Sequence, residues 1–317
     1  MPSEFQLINQ YFKRRGSHQG VTLGIGDDAA LLNVPQGEML VATTDTFISG
    51  RHFPKDTHPF AIGHKALAVN LSDLAAMGAT PRWVLLAITL PTPNEFFVQE
   101  FANGLFNLAN QHQVALVGGD TTKGSELSIT ITALGTVPIG QALRRDDAQV
   151  GDGIYVSNTV GDAGLGLKVA LQQLQNIHLS NEQQAFYKAR LDFPQPRIAL
   201  GLALRGLASS CLDISDGLAQ DLGHILQASG VGAELQLEHL PLSDALRVLP
   251  FEQAWPLALC SGDDYELCFT LSDADFFKLN NLLVPITRIG TVSAQRGLLL
   301  THHGQPYALN MQGYQHF

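Results

Sequence analysis

The sequence predicts a two-domain protein of the α/β class, with mixed (α+β) sheets. Its 317 residues exceed the size at which a single hydrophobic core usually stops growing. The hydrophobic content of 45% against 15% charged residues is typical of a globular chain with a large core. In both halves, short apolar runs typical of strands alternate with segments of helical periodicity, which is the pattern of an α/β fold.

The first half contains helices and strands in alternation. A capping-box pattern at Ser3 and Gln6 opens a short amphipathic helix that ends before Gly16. Apolar side chains recur at helical spacing over residues 61–77 and 96–111, which predicts two longer helices. The predicted strands of this half cover residues 31–34, 39–44, 83–90, 114–117 and 127–137.

A segment rich in glycine, proline and charge, residues 138–153, separates the halves and has no sustained periodicity. We therefore predict an N-terminal domain of residues 1–138 and a C-terminal domain of residues 139–317. The predicted helices of the second half cover residues 164–175, 197–208 and 218–228, and its predicted strands cover residues 154–156, 233–237, 265–271 and 286–292.

Charge and composition exclude several partners and locations. The chain has 19 Lys and Arg residues against 29 Asp and Glu residues, a formal charge of −10, and no basic run, so nucleic acid is not expected as a partner. Its start lacks the pattern of a signal peptide, and no uncharged apolar stretch reaches the roughly 18 residues that a membrane span needs. The three cysteines form no CxxC pair, which favours buried, reduced thiols and a cytoplasmic protein.

Aspartate recurs beside glycine, or at the edges of predicted elements, in both halves. The segments are Gly26-Asp27-Asp28, Thr44-Asp45, Asp73, Gly118-Gly119-Asp120, Asp213-Ile214-Ser215-Asp216-Gly217 and Gly262-Asp263-Asp264. Turns alone enrich both residue types, so each of these segments has a structural interpretation. Asp45 and Asp120, however, each end a run of β character, and the carboxyl end of a strand is where α/β proteins place ligands. The two side chains are therefore candidates for one site.

Three further acids allow both a structural and a functional interpretation. Asp73 borders the core stripe of its helix, where an aspartate is expected to be paired or metal-bound. Asp213 and Asp216 lie across a strand-to-helix junction, where Ser215 can simply cap the helix. The functional interpretation adds a metal at these two acids and a phosphate near the positive helix end. Clustered carboxylates suit Mg²⁺, which takes one or two of them together with water and substrate phosphates.

Two known nucleotide-binding motifs do not account for these acids. The nearest match to a P-loop, residues 161–168, has Leu167 where the lysine belongs. Residues 24–29, GIGDDA, formally fit the dinucleotide pattern GxGxxA, but the segment that follows is too short for the required helix before Pro35. Two aspartates would also face the pyrophosphate. Binding of phosphate through metal ions explains the acids better.

Six motifs occur in an order that resembles one enzyme family. They are GIGDDAALL, TTDTFISGRHF, KALAVNLSDLAAMGA, LVGGDTTKG, LDISDGLAQDLGHI and SGDDYELCF. Together with the C-terminal GYQHF, they resemble the thiamine-monophosphate kinases of the aminoimidazole-ribonucleotide-synthetase-like superfamily over nearly the whole chain. The resemblance implies an N-terminal α/β domain that forms a homodimer, a C-terminal α/β domain, and ATP bound between them without a P-loop. It also implies phosphorylation of thiamine monophosphate to thiamine diphosphate by ATP, assisted by several Mg²⁺ ions.

The same resemblance implies roles for individual residues. The implied magnesium ligands are Asp28, Thr43, Thr44, Asp45, Asp73, Asp120, Asp213 and Asp216. The implied ATP contacts are Gly119, Asp120, Arg145 and Ser215, and the implied substrate contacts are His52, Asp263 and Tyr314. Without the resemblance, His52, Arg145 and Tyr314 would be interpreted as surface or packing residues. Asp263 is one methylene shorter than the glutamate of the family pattern, whereas Thr43 keeps the hydroxyl of the serine that is common there.

The implied reaction needs no general base and no covalent nucleophile, because the acceptor phosphate is largely ionised at neutral pH. Its obstacle is the repulsion between two phosphate groups, which metal ions would offset. Two alternatives remain open: another ATP-dependent synthetase of the superfamily, or a non-enzymatic dimer that binds divalent cations. A selenophosphate synthetase would carry a reactive cysteine near its N-terminus, whereas the first cysteine here is Cys211.

Overall fold

A computed structural model of the protein describes residues 4–13, 18–92, 94–279 and 282–308. The chain divides into two compact units, of which the first comprises Met1–Leu74 and Ala79–Gly140 and the second comprises Ala75–Gly78 and Gln141–Phe317. Within the described ranges, no helix is both long enough and apolar enough to cross a membrane.

The first unit contains a four-stranded sheet, a two-stranded sheet and helices. Its elements in chain order are α1 (Glu4–Leu7), a π-helical turn (Ile8–Phe12), β1 (Val21–Leu23), β2 (Leu31–Leu32), β3 (Glu38–Ile48), α2 (Pro59–Ala76), β4 (Thr80–Leu90), α3 (Glu95–Gln111), β5 (Ala115–Lys123) and β6 (Ser128–Pro138). The helices and strands predicted from residue 39 onward in this half are confirmed, although β3 and β5 continue beyond their predicted ends. Residues 1–3 and 14–17, at the ends of the predicted first helix, lie outside the described residues.

β3 is longer than predicted because polar residues continue the strand. The hydroxyl groups of Thr44 and Thr46 lie 3.1 and 2.8 Å from those of Thr132 and Thr130 on β6. Such cross-strand pairs stabilise a sheet even where its apolar pattern has ended. An apolar run alone therefore underestimates the length of this strand.

The four-stranded sheet has the order β3-β6-β4-β5, with β4 and β5 parallel and the other neighbours antiparallel. Side chains alternate between its two faces, so Ile129 and Ile131 of β6 are buried while the threonines beside them lie on the other face. α2 covers the face of the isoleucines, where a Cβ at Gly135 would lie 3.2 Å from Leu74 Cδ2. We call this the inner face and the opposite one the outer face.

α2 and α3 approach each other closely at two glycines. A Cβ at Gly63 would lie 2.0 Å from the carbonyl oxygen of Phe101, and a Cβ at Gly104 would lie 1.9 Å from that of Phe60. Only glycine permits two backbones to come this close. The contact fixes α2, and therefore Asp73, above the sheet.

The outer face of the sheet is covered only in part. A buried cluster around Trp83 packs against residues of β1 and β2. Beyond this cover, Leu40 on β3 is 49% exposed and Leu85 on β4 is 37% exposed. The first unit therefore presents a sheet surface that combines apolar side chains with threonines.

The second unit is longer and contains more elements. In chain order they are β7 (Gly153–Ser157), α4 (Asp162–Ala170), α5 (Asn181–Asp192), α6 (Ile198–Leu204), β8 (Ser210–Asp213), α7 (Leu218–Ser229), β9 (Gly232–Gln236), a 3₁₀ turn (Leu237–His239), α8 (Asp244–Arg247), α9 (Phe251–Cys260), β10 (Leu267–Leu271), α10 (Asp273–Phe276), β11 (Ile286–Ser293), β12 (Gly297–His302) and β13 (Gln305–Pro306).

A seven-stranded sheet of order β13-β12-β9-β11-β7-β10-β8 forms the centre of the second unit. β12 and β9 run parallel, and the other described neighbours run antiparallel. α7 and α9 contribute Leu222, Ile225 and Trp255 to the core of this unit. Because both units combine helices with a mixed sheet, the predicted α/β class is confirmed.

The second unit also holds helices that the sequence analysis misses. α5 begins with a capping box at Ser180 and Gln183, but a polar segment without a clear apolar stripe follows it. α9 contains Pro256, and an internal proline normally ends a helix. Burial of Ala254, Trp255 and neighbouring residues of α9 outweighs that preference, so tertiary packing rather than local pattern determines this helix.

We expect two helical glycines of the second unit to respond oppositely to alanine. A Cβ at Gly166 on α4 would lie 2.1 Å from the carbonyl oxygen of Tyr187, whereas nothing lies within 4 Å of a Cβ at Gly223 on α7. Gly166→Ala should lower the free energy of unfolding by about 1–3 kcal/mol, and Gly223→Ala should raise it by about 0.5–1 kcal/mol. Urea unfolding followed by circular dichroism measures both changes. A neutral Gly166→Ala would contradict the close approach of α4 and α5.

Candidate functional site

A pair of carboxylates lies on the inner face of the first unit's sheet. Asp45 belongs to β3 and Asp73 to α2, and the hydroxyl of Thr43 donates a hydrogen bond of 2.5 Å to Asp73 Oδ2. Alternate residues of a strand share a face, so Thr43 and Asp45 both approach Asp73. The neighbouring side chains of Leu71 and Leu74 are buried, which places Asp73 at the border of the core as the sequence predicts.

Burial and like charge raise the energy of this pair when both groups are ionised. The pKa of Asp45 is raised to about 6, first by burial and then by the negative charge of Asp73 and the hydrogen bond between the two carboxyl groups. A divalent cation relieves the same repulsion, and carboxylate and hydroxyl oxygens are ligands that Mg²⁺ prefers. The oxygen atoms of Thr43, Asp45 and Asp73 therefore fit a magnesium ion.

Two other predicted ligands lie on the outer face. The hydroxyl of Thr44 donates a hydrogen bond of 3.2 Å to the carbonyl oxygen of Ile131. Asp120 is exposed on β5 and pairs in register with Ala87 of β4, whose neighbours in the strand are buried on the inner face. Within this unit, the structure therefore does not bring the side chains of Thr44 and Asp120 to the face of Asp45.

Gly119, a predicted ATP contact, is required by the sheet itself. Its φ is +151°, and a Cβ there would lie 1.8 Å from the carbonyl oxygen of Leu86 on β4. No other residue fits so close an approach between two strands. The glycine has this structural role independently of ATP, and its contact with ATP stays a prediction.

Asp28 and His52 occupy irregular segments of the first unit. Asp28 is exposed, and its backbone N–H donates to Asp27 Oδ1 at 2.9 Å. His52 accepts a hydrogen bond of 2.9 Å at Nδ1 from the backbone N–H of Ile48, and its ring lies 5.6 Å from the ring of Phe47. Because Nδ1 is the acceptor, the neutral imidazole carries its proton on Nε2.

In the second unit, the segment between β8 and α7 carries the predicted metal ligands. Asp213 is buried at the end of β8, and Asp216 Oδ2 accepts a hydrogen bond of 3.2 Å from Gln220. The interpretation of Ser215 as the cap of α7 is wrong. The N-cap residue is Gly217, with a φ of 120° and no side-chain cap, because the backbone N–H groups of this segment bind a different carboxylate.

That carboxylate belongs to Asp221, which the sequence analysis does not single out. Asp221 Oδ2 accepts the backbone N–H groups of Ser215, Asp216 and Gly217 at 2.9, 3.0 and 3.1 Å. The pKa of Asp221 is raised to about 6, chiefly by burial, although these backbone hydrogen bonds lower it. The available sequence signal is an acid in the first turn of a predicted helix, where the helix dipole favours negative charge.

Asp263 lies on a loop that packs against the same segment. Its backbone N–H donates to the carbonyl oxygen of Ser215 at 2.9 Å, and its Oδ1 accepts a hydrogen bond of 3.1 Å from the Tyr265 hydroxyl. A Cβ at Gly262 would lie 2.1 Å from the same Ser215 oxygen. The structure therefore brings the predicted ATP contact Ser215 and the predicted substrate contact Asp263 together.

The other two predicted contacts of this half lie elsewhere. The carbonyl oxygen of Arg145 accepts a hydrogen bond of 2.9 Å from Ser229, the last residue of α7. α7 has 12 residues and therefore spans about 18 Å, so the Arg145 backbone lies at the end of α7 opposite to Gly217. Tyr314 lies outside the described residues.

A buried ionic cluster supports the loop of Asp263 and is not predicted from the sequence. Glu266 is fully buried and accepts hydrogen bonds of 2.6 Å from Arg197 Nε and 3.0 Å from Arg190. Asp264 accepts the backbone N–H of Gly161, before α4, at 2.7 Å, and burial raises its pKa well above the ordinary value. The only sequence signal is the presence of acids at the start of an apolar strand.

The acids of each unit form small sets rather than large clusters. Across the described parts of the chain, no three or more His, Cys, Asp and Glu side chains are grouped in a way that could hold a metal ion. In the first unit, the Thr43 hydroxyl rather than a third acid completes the carboxylate pair. Small sets suit Mg²⁺, because it keeps water and substrate phosphates as its other ligands.

Comparison with protein families agrees with this fold and this distribution of acids. Residues 26–137 match the N-terminal domain of the AIR synthase related proteins, and residues 149–301 match their C-terminal domain. A thiamine-monophosphate kinase from Escherichia coli is 48% identical over 99% of this chain and 98% of its own length. The resemblance carried by the sequence motifs is thereby confirmed.

Solved structures match over most of the chain. A thiamine-monophosphate kinase from Stenotrophomonas maltophilia has a TM-score of 0.82 and 48% identity, covering 91% of this chain and 93% of that one. AaThiL complexed with AMPPCP and TMP has a TM-score of 0.79 and 31% identity, covering 92% of both chains. Fold and site thus define a protein of the AIR-synthase-related class. Within that class, the chain belongs to the thiamine-monophosphate kinase family.

We expect Asp73→Asn to leave the metal-free protein at least as stable as the wild type. At a pH above the raised pKa of Asp45, the substitution removes the repulsion within the pair, while the amide oxygen can still accept the Thr43 hydrogen bond. Thermal melting in EDTA measures the effect, with Asp56→Asn at an exposed position of the same unit as the control. A variant that melts well below both proteins would instead assign Asp73 a structural role.

Proposed function

We propose that the protein is an ATP-dependent kinase that phosphorylates thiamine monophosphate to thiamine diphosphate. The observation that carries this proposal is the identity of 48% with a thiamine-monophosphate kinase over almost the whole chain. The relative that is complexed with AMPPCP and TMP supports the choice of substrates, because AMPPCP is an analogue of ATP. The oxygen atoms of Thr43, Asp45 and Asp73 fit the Mg²⁺ that phosphoryl transfer requires.

Magnesium binding is part of the proposal. Thr43, Asp45 and Asp73 would hold Mg²⁺ in the first unit, and Asp213 and Asp216 would hold it in the second. Bound there, the ions would supply positive charge that offsets the repulsion between the phosphate groups. The remaining assignments belong to the same proposal: Asp28, Thr44 and Asp120 as metal ligands, Gly119, Asp120, Arg145 and Ser215 at ATP, and His52, Asp263 and Tyr314 at the substrate.

In this mechanism, the side chains bind and orient rather than exchange protons. The acceptor is a phosphate oxygen whose second pKa is about 6, so it is ionised at neutral pH without a base. Asp263 is oriented by the Tyr265 hydroxyl and by the carbonyl oxygen of Ser215, and the ion pairs of Glu266 hold the strand that follows. Direct transfer between the two substrates, without a phosphorylated side chain, follows from this arrangement.

A homodimer through the outer sheet face of the first unit is also proposed. Exposed Leu40 and Leu85 lie on this face, and apolar side chains grouped on an exposed sheet are typical of an interface. The same proposal gives residues 1–138 dimerisation and Mg-nucleotide binding, and gives residues 139–317 the completion of the ATP and substrate site. It also includes a cytoplasmic location.

An assay of ADP release with separate acceptors tests the activity. We expect turnover with Mg²⁺, ATP and thiamine monophosphate, and little with free thiamine, because its hydroxyl is far less acidic than a phosphate. Asp73→Asn should lower kcat by about 10²–10³-fold, whereas Asp56→Asn should match the wild type.

The other outcomes of this assay identify the alternatives. Turnover with selenide or an aminoimidazole precursor would indicate a different synthetase of the superfamily. Stabilisation by Mg²⁺ without turnover of any acceptor would indicate a non-enzymatic dimer that binds cations.

We expect Leu40→Glu to convert the dimer to a monomer, because it would place a charge within the apolar part of the interface. Size-exclusion chromatography with light scattering measures the mass. Val248→Glu, at a residue of the second unit that is 82% exposed, is the control and should remain dimeric. A dimeric Leu40→Glu protein would exclude the outer face as the interface.

A further inference from the structure

The start of α7 contains an internal ligand for its N–H groups. The first N–H groups of a helix have no partner within the helix and, together with the helix dipole, commonly bind anions. Here Asp221, which is only 4% exposed, accepts the N–H groups of Ser215, Asp216 and Gly217 on a single oxygen. The anion at this helix start is therefore a carboxylate of the chain itself.

These hydrogen bonds hold the backbone that carries the proposed ligands. The donors are consecutive residues between β8 and α7, and the φ of 120° at Gly217 is one that other residues rarely adopt. Loss of the acceptor would leave N–H groups without a partner, and each such group that is shielded from water is costly. Asp221 is itself fixed by α7, whose Leu222 and Ile225 are buried in the core.

The same backbone also supports the loop of Asp263. The carbonyl oxygens of Ser215 and Ile214 accept the N–H groups of Asp263 and Tyr265 at 2.9 and 2.8 Å. The two loops are so close that a Cβ at Gly262 would lie 2.1 Å from Ser215 O. A shift of residues 215–217 would therefore move Asp263 as well.

We infer that Asp221 is a positioning residue that converts the start of α7 from an anion site into a site for a cation. With the N–H groups occupied, the polar side chains of this segment are Asp213, Ser215 and Asp216, so its charge is negative. A phosphate group reaches it through a bound cation and not through the helix N-terminus. The inference rests on the proposed function for the identity of the nucleotide, and it replaces the expectation of a phosphate at the positive end of α7.

Hydrogen exchange of the full-length, metal-free protein tests the hydrogen bonds directly. The variants are Asp221→Ala and Asp221→Asn, with Asp244→Ala as the control, because Asp244 is a fully exposed acid in the first turn of α8 in the same unit. The amides of residues 215–217 should exchange about tenfold faster or more in Asp221→Ala. Exchange should be intermediate in Asp221→Asn, whose amide oxygen is a weaker acceptor, and unchanged in the control. Unchanged exchange in Asp221→Ala would overturn the inference.

Inorganic phosphate and Mg-ATP separate positioning from a general loss of stability. Without Mg²⁺, phosphate should raise the melting temperature of Asp221→Ala more than that of the wild type at equal ionic strength, because the N–H groups are then available to an anion. Mg-ATP should stabilise the same variant less than the wild type. Equal shifts in both proteins would overturn the inference, and Asp221→Asn decides in the same way if Asp221→Ala does not fold. Neither readout uses thiamine monophosphate, so a failure of the proposed kinase activity is recognised separately.

Discussion

Holding like charges close together is the constraint on which much of this structure depends. Asp45 and Asp73 meet on the inner face of a sheet, where burial and mutual repulsion raise the pKa of Asp45 to about 6. Repulsion of this kind opposes folding, so the rest of the unit has to hold the two elements together. The close contact of α2 and α3 at Gly63 and Gly104 does this. Well-packed helices thereby offset an unfavourable arrangement at a functional site.

The second unit treats its buried acids differently, because most of them have partners within the chain. Glu266 lies between two arginines, Asp264 accepts backbone N–H groups near α4, and Asp221 does the same at α7. A carboxylate that is fully satisfied in this way has little capacity left for a cation. Partners, rather than sequence motifs, therefore separate acids that maintain the structure from those, such as Asp216, that are candidates for ligand binding.

The sequence predicts those features that depend on local pattern. The apolar stripe of α2 correctly places Asp73 at the border of the core, and strand periodicity alone implies that Thr44 faces away from its two neighbours. It does not predict α9, whose Pro256 argues against a helix until the burial of that segment is known. Nor does it predict the role of Asp221, because that carboxylate bonds to backbone groups whose positions depend on the turn before α7. A family motif contains all of these residues without distinguishing their roles.

The charges of the proposed site set a lower limit on the number of ions. One Mg²⁺ bound by both Asp45 and Asp73 would have its charge cancelled by the two carboxylates, and no positive charge would remain for the phosphate groups. Transfer between two anionic substrates needs such a surplus, since phosphate oxygens at a few ångströms repel strongly in a site of low dielectric constant. The surplus arises only if carboxylates are shared between ions, or if ions bind through a hydroxyl such as that of Thr43 and through water. The pairing of carboxylates in this fold therefore favours several magnesium ions over one.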